Sequence, residues 1–285
     1  MTSSASPTVR RRRLAAELRR LRGNRTGTAV ARGLGWSAAK VSRYELGQGS
    51  FPLEEIEKLL NYYRVDESLR TQLLDLAVEA NAPAWWDDYA DALTPEYKEF
   101  IGLEAEAASE LMWQLPAVPG LLQTEEYARA IHIAHQQIEL MSPGVVEQRV
   151  RTRMIRQKVL TERDPLLTLS VVIDESVLQR KVGTWDVMSK QLRHLAEMAE
   201  LPNVELRILP LRRDTSLMAD SFHVLGFDEL GDVVSTEGAT QVLYVEGETD
   251  TYIYRRMFDA FTWASLAPEE SRELILRTAA QAQVR

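Results

Sequence analysis

The chain has 285 residues, 45% of them hydrophobic and 27% charged, with a net charge of −8 and no cysteine. That length predicts two domains with an ample core, and the composition excludes a low-complexity chain, any disulfide and any thiol nucleophile. The longest uncharged stretch, residues 111–124, contains Pro116 and Pro119 and is too short for a membrane-spanning helix. The polar start runs into Arg10–Arg13 and not into an apolar segment, so a cytoplasmic protein is expected.

Charge is unevenly placed. Residues 1–43 hold eleven Lys and Arg against one acid, Glu17, while residues 44–285 hold 23 basic and 41 acidic residues. A small basic head on a large acidic body predicts that the head binds a polyanion. A first helix beginning near Val9 would carry Arg10, Arg11, Arg12 and Arg13 in its opening turn. The macrodipole is positive there, and each cation costs roughly a few tenths of a kcal/mol. A phosphate backbone would relieve that repulsion.

Leu14, Leu18 and Leu21 recur at helical spacing until Gly23 and Asn24 stop the helix. Thr26 caps a short segment reaching Leu34, Gly35-Trp36-Ser37 reads as a tight turn, and Ala38–Leu46 forms the next short helix before Gly47 and Gly49. Val30, Ala31, Leu34, Val41 and Tyr44 form the inward set. Leu53, Ile56, Leu59, Leu60 and Tyr63 mark a fourth helix, and Leu69, Leu73, Leu74, Ala77 and Val78 a fifth. Residues 1–80 are therefore expected to be a mainly α, five-helix domain.

The stretch from Thr28 to Gly47, above all Ser42-Arg43-Tyr44-Glu45-Leu46-Gly47, resembles the helix-turn-helix DNA-binding domains of the XRE type. Its turn is about two residues shorter than usual, and Gly27 stands where the family places a phosphate-anchoring Gln; Thr26 or Thr28 would take over that contact. The resemblance implies that the second short helix enters the major groove. Ser37, Ala38, Ala39, Lys40, Ser42 and Arg43 point away from Val41 and Tyr44 and are the expected readers. Lys40 and Arg43 suit a guanine edge or a phosphate, and Ala38 and Ala39 suit thymine methyls. Glu45, repelled by phosphate, is expected to pair with a first-helix arginine such as Arg20.

Asn81-Ala82-Pro83-Ala84 breaks the helical pattern, and residues 81–95, with Trp85, Trp86 and Tyr89 among acids, read as a linker or docking segment. Residues 96–285 read as an α+β domain. Helices are expected over Pro95–Leu115, Thr124–Gln137, Pro143–Thr161, Ser176–Lys181, Thr184–Glu200, Thr251–Ala264 and Pro268–Gln283. Strands are expected at Leu166–Ile173, Val204–Leu209, Phe222–Phe227, Asp232–Ser235 and Gln241–Val245.

The body offers no catalytic set. His132 and His135 share a helix three residues apart but lack a further ligand in the nearby sequence, so no metal or cofactor is expected. Asp174 and Glu175 read as a helix cap in preference to an acid–base pair. The apolar run Pro119-Gly120-Leu121-Leu122 is expected to plug the core in preference to lining a groove. The chain is accordingly expected not to be an enzyme.

A second resemblance spans this body. Val118-Pro119-Gly120-Leu121-Leu122-Gln123-Thr124-Glu125-Glu126-Tyr127-Ala128-Arg129, Arg153, Arg156-Gln157, Asp174 to Arg180, Gln191-Leu192, Pro202-Asn203-Val204 and Leu209-Pro210 resemble, in order, an antitoxin-like C-terminal domain. That domain follows an XRE head in actinobacterial, WhiJ-like regulators. The resemblance implies a transcriptional regulator, and the chain is expected to bind double-stranded DNA as a homodimer on an inverted repeat, with a body that senses a small partner protein or small-molecule effector. The alternative it leaves open is an antitoxin-like module that neutralises a small partner and autoregulates its operon.

Overall fold

A computed structural model describes residues 7–89, 92–212, 219–228, 231–238 and 241–284. The chain divides into two compact units, residues 1–88 and 89–285, an all-α unit followed by an α+β unit.

The first unit contains α1 (Pro7–Arg22), α2 (Gly27–Leu34), α3 (Ala38–Glu45), α4 (Leu53–Tyr63) and α5 (Glu67–Ala80). Leu14, Leu18, Val30, Ala31, Val41, Tyr44, Ile56, Leu59, Leu60, Tyr63, Leu73 and Ala77 meet in one core. Leu53 and Val78, which mark the fourth and fifth helices in the sequence, face solvent. Phe51 and Ala80 lie in the core instead. Asn81 is more than a helix breaker. Its side chain accepts from the Phe51 amide at 2.9 Å and donates to the Phe51 carbonyl at 2.7 Å, which ties the α3–α4 connection to the end of α5.

The second unit is built on a six-stranded mixed sheet of order β3-β2-β1-β4-β5-β6. Its strands are β1 (Ser109–Gln114), β2 (Thr168–Asp174), β3 (Val204–Leu209), β4 (Phe222–Phe227), β5 (Gly231–Glu237) and β6 (Val242–Glu246). The first three are parallel and the last three antiparallel, with β1 and β4 meeting at the change. The helices are α6 (Pro95–Glu104), α7 (Glu125–His135), α8 (Pro143–Arg156), α9 (Ser176–Gln179), α10 (Trp185–Met198), α11 (Glu248–Ala264) and α12 (Pro268–Gln283). Parallel pairing requires crossovers, and α7–α8 and α9–α10 supply them.

The expected helix over Pro95–Leu115 is corrected: α6 stops at Glu104 and the chain re-enters as β1, an inner strand of the sheet. Glu110 is a carboxylate at the head of an apolar run, where a helix would turn it to solvent. In the fold it is fully buried and bonds the His223 ring at 2.7 Å. Leu111 and Trp113 face the opposite side, where Trp113 stacks on Phe261 of α11 at 4.1 Å in the core with Phe222, Val224 and Phe258.

Candidate nucleic-acid interface

Two local signals build the helix-turn-helix. Thr26 accepts from the Ala29 amide at 3.2 Å and Ser37 accepts from the Lys40 amide at 3.2 Å, so each short helix opens on its own side-chain cap. Between them Gly35 takes φ of 68°, and the Trp36 amide returns to the Ala31 carbonyl at 2.8 Å, closing α2 as a left-handed cap. On α2, a Cβ at Gly33 would collide with the ring of Tyr62.

Val41 and Tyr44 anchor α3 inward, and Tyr44 packs between Trp36 and Phe51. Ser37, Ala38, Ala39, Ser42 and Arg43 are exposed on its other side, as are Thr26 and Thr28 at the start of α2. Lys40 is placed differently. Its Nζ meets Glu55 Oε1 at 2.6 Å and lies 4.5 Å from the Trp36 ring, so it must leave Glu55 to reach a base. Glu55 also accepts from the Tyr44 hydroxyl, and the Lys40 and Tyr44 hydrogen bonds hold its carboxyl below the usual range. Nothing local marks this role, since Glu55 reads as an acid suited to the first turn of a helix.

The arginine run splits. Arg10 is buried and pairs with Glu79 at 3.1 Å, and Arg11 donates to the Ala80 carbonyl at 2.8 Å. Both partners belong to the last turn of α5, where orphan carbonyls make the helix end negative. The repulsion at the start of α1 is thus relieved inside the head, where Arg10 and Arg11 already have partners. Arg12 and Arg13 stay half-buried. Glu45 pairs with a first-helix arginine as expected, but with Arg22 at 2.7 Å; Arg20 is held by Glu17 on its own helix.

In the second unit four polar residues of the shared signature, Gln123, Arg153, Gln157 and Gln191, converge on one loop. Gln123 donates to the Val118 carbonyl at 2.6 Å and accepts from Arg153 at 2.8 Å. Gln157 donates to the Gly120 and Gln123 carbonyls at 3.0 and 2.7 Å. Gln191 donates to the Leu122 carbonyl at 2.7 Å and accepts from the Thr124 amide at 2.7 Å. Leu121 and Leu122 are fully buried, so this run fills the core. The motif satisfies the backbone of a buried loop, which would otherwise cost about 1–3 kcal/mol for each orphaned group.

Beside it, Arg156 grips Glu104 with two bonds of 2.6 and 2.7 Å and donates to the Tyr97 hydroxyl, all deep in the unit. His132 is buried as well, and desolvation with the nearby Arg153 and Arg149 pushes its ring down to about 3. His135 is exposed, with its Nδ1 3.1 Å from the Ile131 carbonyl of its own helix. Asp174 accepts from the Ser176 amide at the start of α9 at 2.9 Å, whereas Glu175 accepts from the Leu211 amide just beyond β3 at 2.9 Å and makes no side-chain cap of α9. A cavity of about 310 Å³ lies between α10 and α12, lined by Trp185, Lys190 and Arg193 among others, with Lys190 held by Asp186. No helix among the described residues is long and apolar enough to cross a membrane.

Comparison with known families finds a helix-turn-helix domain over residues 13–73 and a domain of unknown function (DUF5753) over residues 97–277. No curated protein and no solved structure matches the chain.

Proposed function

Because this chain belongs to the DUF5753 family and carries a helix-turn-helix domain ahead of that region, we propose that it is a sequence-specific transcriptional regulator. In this reading it binds as a homodimer to an inverted repeat, and its body responds to a small partner protein or small-molecule effector. The observation that supports this best is the presentation of Ser37, Ala38, Ala39, Ser42 and Arg43 on one exposed side of a capped α3 whose other side is locked in the core. A recognition helix needs this combination of exposed side chains on a fixed axis.

Phosphate contacts fall to Thr26, Thr28, Arg12 and Arg13, and base contacts to α3, with Lys40 joining once released from Glu55. The acidic body, repelled by phosphate, is left for signal and partner. No reaction is assigned to it.

The test is genome-wide footprinting of the full-length protein, followed by titration of the recovered sites with purified protein at several salt concentrations. Inverted repeats with half-site centres about one helical turn apart are expected. Replacing Arg12 and Arg13 with Gln should flatten the slope of log affinity against log salt by about one to two units. Footprints without a common sequence would refute sequence-specific binding.

A further inference from the structure

Helix α11 buries Phe258 and Phe261 against the sheet, yet exposes large apolar side chains on its outer side: Tyr252 at 62%, Ile253 at 51% and Trp263 at 81%. At about 100° per residue, Tyr252, Arg256, Asp259 and Trp263 fall within roughly 60° of one another, a straight ridge about 16 Å long. Arg256 and Asp259 are both largely exposed and 3.7 Å apart.

This ridge is symmetric about the point midway between Met257 and Phe258. Tyr252 and Trp263 are equally distant from it, and so are Arg256 and Asp259, which carry opposite charges. An isologous interface requires a patch that complements itself. When two such ridges lie antiparallel about that midpoint, each Tyr252 faces Trp263 of the other copy and each Arg256 faces the opposite Asp259. Apolar ends and paired charges at the centre are thus matched by a single two-fold operation. The exposed apolar surface continues onto β6, the last strand of the sheet, where Leu243 is also exposed on the face that α11 covers.

We infer that α11 is a homodimer interface, covered by α11 of a second copy of this chain; the inference rests on the dimeric regulator proposed above and gives that dimer its contact surface. Large aromatic side chains that become fully desolvated at such a contact carry most of its binding energy.

Sedimentation of the full-length protein across a range of concentrations tests this, with circular dichroism and thermal melting to confirm that each variant folds. The wild-type chain should sediment as a dimer. Tyr252→Ala with Trp263→Ala should weaken it at least tenfold. Arg256→Asp alone sets like charges against each other and should also weaken it, whereas Arg256→Asp with Asp259→Arg restores both pairs and should return the dimer. If the wild type dimerises and no variant changes that, the interface lies elsewhere and the inference fails while the regulator reading stands. A chain that is monomeric both free and on its operator overturns the dimer reading and the inference together. A folded double charge swap that stays as weak as Arg256→Asp overturns the antiparallel pairing.

Discussion

In the head, Lys40 reaches Glu55 with about a quarter of each side chain still in solvent, whereas in the body Arg156 grips Glu104 with almost nothing of either exposed. Both are ion pairs near 2.6 Å, and their energetics differ because of water. The solvated pair is worth about 0–1 kcal/mol and can exchange one partner for another. The buried pair has lost its hydration, so removing one member leaves a charge that nothing nearby can solvate. Pairs of the first kind suit a surface that must trade its own carboxylates for phosphates. Pairs of the second kind suit a scaffold that keeps one shape.

The sharpest way to break this contrast is Glu104→Ala. It strands Arg156 and should cost about 3–5 kcal/mol in urea unfolding, while the fraction that remains folded binds DNA unchanged. A loss under about 1 kcal/mol would show that the pair is as replaceable as those of the head.

Arg43→Ala should have the converse profile. Unfolding should barely move, and affinity for the operator should fall by about 1–3 kcal/mol more than for a scrambled duplex if the residue reads a base. Equal losses on both duplexes would place it on phosphate.

His223 extends the comparison to pH. Burial opposes its charge, but the hydrogen bond and the charge of Glu110 override that and raise it above its ordinary value. A base raised on folding stabilises fully below its unfolded value of about 6.5 and loses that contribution as pH rises through the folded value. The urea midpoint should therefore decline above about pH 6.5 more steeply in the wild type than in His223→Gln. Parallel pH profiles would show that the buried Glu110–His223 pair is not charged.

Glu55→Gln should have the smallest effect. Stability should change by no more than about 1 kcal/mol, and DNA affinity should rise slightly as Lys40 is freed. Fluorescence anisotropy reads the change, and a fall in affinity would mean that Glu55 positions Lys40 for its contact.

The head was far more legible in the sequence than the body. Thr26, Ser37 and Gly35 act on groups within a few residues of themselves, so the two short helices and their turn could be placed from local signals, while their identity as a helix-turn-helix came from the resemblance. Leu53 and Val78 show the limit, because apolar periodicity gives a face and only packing says where that face ends. In the body, Glu110 hid an inner strand, since the residue that makes a buried carboxylate tolerable, His223, lies 113 positions away. Gln123, Gln157 and Gln191 were visible only as members of a resemblance. Nothing in their spacing says that all three serve one loop.

Sequence by itself determined the all-α head, its two short helices joined at Gly35 and the charge split between the two units, because each follows from short-range periodicity, turn chemistry or composition. Tertiary structure decided which charges are occupied. It turned Arg10 and Arg11 onto the end of α5, gave Glu45 to Arg22 and Lys40 to Glu55, seated β1 between β2 and β4, and left one ridge of α11 bare. The reason is the same in each case: partners of a charge or of a strand are chosen by where the chain returns in space, and a local pattern carries no information about that return.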